Sequence, residues 1–196
     1  LQYKLDQCAE IGAPVLNMVA DFPEEPSMAH YEVARANLAE IVDMATSRGV
    51  RMALEFVAWS HFLAGVPTTL ELVRSVNPVA LGIMFDSFHF YKGNSKQEDL
   101  KQLKGSDIAL VHVNDVPALP REVVSDQDRV VPGEGVLPLR RILGGVRSTG
   151  YDGPISAELL NPRLWERDPD ELAQAVHKSL SQLCADVAQA TSEVGG

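Results

Sequence analysis

Short apolar runs alternate along the chain with longer stretches in which apolar residues recur every three or four positions. Five runs read as strands: Ala13–Val19, Arg51–Glu55, Ala80–Asp86, Ile108–Asn114 and Ile155–Leu159. They are rich in Val, Ile, Leu and Met and scarcely interrupted, as expected of parallel strands covered on both faces. The stretches between them carry helix signals. Ser27 can cap a helix that runs to Arg48 and stops at Gly49, with Val33, Ala36, Ile41, Met44 and Ala45 roughly along one stripe. Further helices are expected over Pro67–Val76, over Gln97–Leu103 and from Pro138 to Gly150. A final helix near the C-terminus is the best marked: Asp168 caps it, Pro169 takes its first turn, and Glu171 closes a capping box ahead of Leu172, Val176, Leu180 and Leu183.

The order is one helix followed by five strand–helix units, which implies parallel pairing in a doubly wound sheet or a TIM barrel. No GxGxxG follows the first strand, as a nucleotide-binding doubly wound sheet would show. Four strands instead close on a side chain able to do chemistry: RMALE ends at Glu55, ALGIMFD at Asp86, IALVH at His112 and PISAE at Glu158. Functional residues at the C-terminal ends of several strands favour the barrel. A (β/α)8 barrel usually takes about 250 residues and eight units. The expectation is therefore a single TIM-barrel domain over residues 1–196 with five parallel strands, lacking its first three βα units. The open edges of such a sheet invite association with another chain, a homo-oligomer included.

Composition narrows the partners. The 196 residues carry 27 acidic and 17 basic groups, a net charge of −10, which argues against nucleic acid as a ligand. No apolar run approaches the ~20 residues of a membrane span. LQYKLDQCAEIG at the N-terminus lacks the basic-then-apolar layout of a signal peptide, and two cysteines, Cys8 and Cys184, make no disulfide framework, so a cytoplasmic location is expected.

Two Glu, one Asp and one His converging from neighbouring strands would make a site for one divalent metal ion. Carboxylate oxygen and imidazole nitrogen suit Zn, Mn, Mg or Fe(II), and no thiolate stands nearby to demand zinc. Such an ion could polarise a carbonyl, and two facing glutamates could remove and return a proton on carbon. His30, His61 and His177 are assigned no part in it. Asp115 reads as the start of a turn before Pro117 rather than as a partner of His112. The stretch Asp115–Leu137 is long enough for a lid, and Phe56, Trp59, Phe88, Tyr91 and Trp165 follow strand ends where they could close over a ring.

LEF at 54–56, DSFHFYKG at 86–93, VHVND at 111–115, DQDRVVPGEG at 126–135 and GYDGPISAELLNP at 150–162 resemble the xylose isomerase-like barrel family. Its members include ketose epimerases, inosose dehydratases and inosose isomerases, and the likeness is strongest to the last. The resemblance implies that Glu55, Asp86, His112 and Glu158 hold one divalent ion, with Mn, Zn or Mg suited and Co a further fit. It implies that His89 and Arg129 bind substrate oxygens and that Glu158 is the base, with Glu55 its partner. The implied reaction moves a proton beside the carbonyl of a cyclic polyol ketone or ketose through an enediolate. A dehydratase on the same site is the alternative. A DNA-repair endonuclease of this fold would need a multinuclear zinc cluster, more histidines and a basic groove, and an inactive fragment is the remaining reading.

Overall fold

In the computed structural model, which describes residues 1–20 and 23–194, five strands form one parallel sheet in sequence order. They are β1 (Val15–Val19), β2 (Arg51–Glu55), β3 (Leu81–Asp86), β4 (Ile108–Val113) and β5 (Ile155–Ala157). The helices are α1 (Gln2–Ile11), α2 (Met28–Thr46), α3 (Val66–Val76), α4 (Ser87–Lys92), α5 (Leu139–Ser148), α6 (Pro162–Trp165) and α7 (Pro169–Val194). This is the strand–helix alternation of a TIM barrel, with five of its eight strands. Among the described residues no helix is long and apolar enough to cross a membrane.

The expected elements stand within a few residues of their sequence signals. Ser27 precedes α2, where the His30 ring accepts the Ser27 N–H at 2.9 Å, so this histidine is part of a helix cap. Asp168 Oδ1 accepts the N–H groups of Asp170 and Glu171, each at 3.0 Å, and starts α7 as its position promised. Over 97–102 the chain forms a 3₁₀ helix instead of an α-helix, with Asp99 reaching back to the Lys96 N–H at 2.7 Å. Two helices have no expected counterpart, α4 and α6, each a turn or two long and each capped by a polar side chain at the end of a strand or loop.

Side-chain phase decides where the chemistry points. On one face of the sheet Ala53, Met84 and Ala109 pack together with Val15 and Leu110. The opposite phase, including Met52, Leu54, Ile83, Phe85, Val111 and Val113, merges with the helices into the main core. Successive strand residues point to opposite faces, so Glu55 shares a face with Ala53, and Asp86 with Met84. In β4 simple alternation from Ile108, which lies in the main core, would send His112 to the helices. A register shift prevents this: Ile83 pairs with Ile108 but Met84 pairs with Leu110, so Ala109 is an extra residue on β4. The bulge re-aims everything after it, and Asp86 pairs directly with His112. At the other end of this face Arg51 crosses Gly82 to donate to the Ser106 and Ile108 carbonyls at 2.6 and 3.2 Å. A side chain at Gly82 would collide with that guanidinium and with Ala109.

The 115–137 segment is tied down from inside. Asp115 is buried, and its carboxylate accepts four backbone N–H groups: Val116 and Leu137 on Oδ1 at 2.9 and 2.8 Å, Gly133 and Gly135 on Oδ2 at 3.0 and 3.1 Å. Asp115 and Val130 also exchange both backbone hydrogen bonds. The residue is therefore the hub of the loop, not the opening of a simple turn. Lys92, at the end of α4, holds the same loop through the Val124 and Arg121 carbonyls at 2.7 and 3.1 Å. Replacing Asp115 by Ala leaves these four donors, of which those of Val116 and Leu137 are buried, without an acceptor, at about 1–3 kcal/mol for each one that finds no water. Urea unfolding of Asp115→Ala should show a loss of at least ~3 kcal/mol; a loss under ~1 kcal/mol would mean that the loop is held by other contacts.

Candidate metal centre

Each member of the quartet reaches the site from a different strand. Glu55 is the last residue of β2, Asp86 the last of β3, His112 the fifth residue of β4, and Glu158 lies one residue past β5. Parallel pairing brings these ends together, and each of the four offers a ligand atom within 4.8 Å of the others. His30, His61 and His177 take no part.

Two atoms of the cluster are buried without a hydrogen-bond partner, Glu55 Oε1 and His112 Nδ1. A buried, unpartnered carboxylate oxygen and a ring nitrogen side by side are costly unless something binds them. His112 Nδ1 lies 3.5 Å from Glu158 Oε1, close enough for ionic attraction without hydrogen-bond geometry. A divalent cation suits this donor set, so the residues present fit a metal.

The four are not equally free. Asp86 is fully buried; its Oδ1 caps α4 by accepting the Phe88 and His89 N–H groups at 2.7 and 2.9 Å, and its Oδ2 accepts from Asn114 Nδ2 at 3.0 Å. Arg129 adds a fourth donor, with Nη1 3.2 Å from Asp86 Oδ2 and 2.5 Å from Glu158 Oε2. Its Nη2 donates to Asp126 at 2.5 Å, and its guanidinium carbon lies 4.6 Å from the centre of the Phe88 ring. Arg129 is thus entirely enclosed, an internal counter-charge to the acids. His89, 5% exposed, sits beside it with Nε2 3.3 Å from Arg129 Nη2 and Nδ1 accepting the Ala58 N–H at 3.3 Å.

These surroundings push the two glutamates apart. Burial raises Glu55 to about 7, against the opposing hydrogen bond from Asn17. Glu158 is lowered to about 2, first by the facing His112 imidazole and then, against its own burial, by Arg129. Burial alone would lower His112, but Glu158, Asp86 and Glu55 outweigh it and raise its pKa. His89 is lowered, chiefly by burial.

Three further residues brace the quartet, Asn17 and Asn114 without an expectation from sequence and Asp126 as an ion-pair partner that its place three residues before Arg129 allows. Asn17, on β1, donates to Glu55 Oε2 at 2.8 Å. Asn114, inside the VHVND motif, braces Asp86 and accepts from Ser87 Oγ. Asp126 pairs with Arg129 and accepts the Trp59 indole N–H at 3.1 Å. Asn17 could have been found as the polar residue of VLNMV in phase with the strand end. The aromatic set divides: Phe56 and Phe88 are core residues, Tyr91 packs against the core, and Trp59 and Trp165 remain 52% and 63% exposed.

A family model described as xylose isomerase-like TIM barrel matches residues 1–183. Inosose isomerase of Bacillus subtilis is 30% identical over 181 residues, covering 89% of this chain and 64% of the relative. The 3-dehydroshikimate dehydratase of Pseudomonas aeruginosa is 30% identical over 164 residues, covering 81% of this chain and 25% of that protein. A crystal structure of the IolI protein with a bound zinc atom superposes with a TM-score of 0.86 at 28% identity, covering 93% of this chain and 66% of that one. The chain thus spans somewhat less than two thirds of the length of the inosose isomerase and of the IolI structure.

Metal binding to this cluster must compete with protons. Glu55 is protonated below about pH 7, so an ion entering its carboxylate displaces a proton and binds more weakly as the pH falls through that value. Calorimetric titration of Mn²⁺ should find one site per chain, at least about tenfold weaker at pH 6 than at pH 8. Equal affinity at both would remove Glu55 from the ligand set.

Proposed function

The chain belongs to the xylose isomerase-like TIM barrel family, and we propose that it is a divalent-metal-dependent isomerase acting on a cyclic polyol ketone of the inosose class. The observation that carries this reading is the pair of glutamates, Glu55 and Glu158, in one four-residue cluster with opposed proton affinities. Its substrate class follows the inosose isomerases that the chain is similar to.

Glu55, Asp86, His112 and Glu158 would hold the ion, which when bound supplies Lewis acidity toward a carbonyl and the neighbouring hydroxyl. Glu158 is ionised and, with Oε2 engaged by Arg129, keeps Oε1 as the atom to take a proton from the carbon beside the carbonyl. Glu55 stands as the partner of Glu158 in returning a proton; the separation of the two proton affinities belongs to the cluster before an ion displaces the Glu55 proton. Delivery to the former carbonyl carbon, with the neighbouring hydroxyl's proton passing to the former carbonyl oxygen, moves the ketone one position along the ring; delivery to the opposite face of the original carbon inverts that centre. The assignment of His89 and Arg129 to substrate oxygens rests on the family resemblance. What supports it is their contact with the cluster: Arg129 Nη1 donates to Asp86 and Glu158, and His89 Nε2 lies 3.3 Å from Arg129 Nη2.

A second reading is favoured by the likeness to 3-dehydroshikimate dehydratase. The same proton removal followed by loss of a hydroxyl one carbon further on would eliminate water. Proton NMR of an inosose in D₂O with the Mn²⁺-loaded chain separates the two: an isomer that keeps every hydroxyl and carries deuterium beside the ketone supports the isomerase, and an unsaturated product supports the dehydratase. Glu158→Gln should lower the deuterium exchange by at least ~100-fold. Exchange that survives this substitution would sink the role of Glu158 as base.

A further inference from the structure

We infer that Asn17, on β1, is the residue that positions Glu55 as a ligand of the metal centre. The strand pairing sets this up. Asn17 is in register with Ala53 and Val19 with Glu55, so Asn17 and Glu55 are diagonal neighbours on the same face of adjacent strands, within reach of a long side chain. The Asn17 Nδ2 donates to Glu55 Oε2 at 2.8 Å. The other oxygen, Oε1, is the one that has no hydrogen-bond partner. One oxygen of the carboxylate is therefore pinned to β1 while the other is left for the cluster, which is how a second-layer donor orients a single-oxygen ligand.

The sheet does not require this residue. Asparagine is disfavoured in strands, and β1 pairs with β2 along its length through backbone hydrogen bonds. Its neighbours in VLNMV are apolar. An asparagine kept for structure alone would also satisfy both ends of its amide, whereas Asn17 Oδ1 is buried and unpaired. Only the end that faces Glu55 is used. Among the described residues no other hydrogen-bond donor fixes the rotation of the Glu55 carboxylate, which is 6% exposed, so without Asn17 its two oxygens become interchangeable toward an ion.

The inference rests on the metal-centre reading, and a double-mutant cycle tests the two separately. Mn²⁺ affinity is measured by calorimetry for the unmodified chain, Asn17→Ala, Glu55→Gln and the double variant, with Co²⁺ visible absorption reporting the ligand set and urea midpoints reporting the fold. Asn17→Ala should weaken Mn²⁺ roughly 10–100-fold and alter the Co²⁺ spectrum while the urea midpoint holds. In the Glu55→Gln background the same substitution should change affinity by no more than about twofold, because its effect passes through the residue already altered. Asn17→Leu, which keeps the volume, serves as the second variant should the alanine chain fail to fold, with the same expected losses. A stoichiometric site that ignores Asn17→Ala, or that weakens equally in both backgrounds, overturns the inference alone. Absence of a stoichiometric site in the unmodified chain overturns the metal reading and the inference with it.

Discussion

Three carboxylates that meet within a few ångströms in a buried place repel one another unless something of opposite sign stands among them. In this chain that charge is Arg129. Its Nη1 touches both Asp86 and Glu158, its Nη2 touches Asp126, and its flat face lies over Phe88. A guanidinium suits the task because it is always charged and presents its donors as a rigid fork, so one side chain serves three acids at once. Removing it would leave uncompensated buried charge, which is among the most destabilising changes a protein can suffer. The ends of β3 and β5 can thus carry carboxylates side by side only while the 115–137 loop delivers this residue, and the loop does so because Asp115 gathers its backbone N–H groups.

The two buried charges of the loop therefore work as a pair. Asp115 shapes the segment and Arg129 plugs it into the site. Neither role follows from residue type alone. The sequence presents Asp115 before Pro117 and Arg129 between Asp128 and Val130, where a turn and a surface ion pair are the ordinary readings. What separates a hub from a turn residue is burial, and burial depends on which distant backbone folds over the carboxylate.

The larger pattern was legible because it repeats. Apolar runs of strand length, spaced by amphipathic stretches with caps, admit few architectures, and all five strands stand where their runs lie. The quartet was legible for the same reason: each member closes one of those runs. The bulge at Ala109 was not, since IALVHV reads as an uninterrupted strand and the extra residue shows itself only against the pairing of β3. The place of His112 in the quartet depends on that bulge, so the site could be expected from strand ends but not from strand phase. Asn17 escaped because it lies mid-strand, two positions short of the end where chemistry was sought.

The dryness of the sheet's inner face explains why Glu55 and Glu158 diverge. Ala53 and Met84 are fully buried on that face, so water does not solvate the base of the Glu55 side chain, and its carboxyl holds a proton toward neutrality. Glu158 lies past the last strand, half-buried, between His112 and Arg129, where the charged form is favoured. The same curved sheet thus supplies two unlike carboxylates from one residue type. A divalent ion held between them would add two positive charges where Arg129 already supplies one, which would favour loss of the Glu55 proton. Metal binding and proton release are in this way one event, and the difference between the glutamates is set by packing before any ligand arrives.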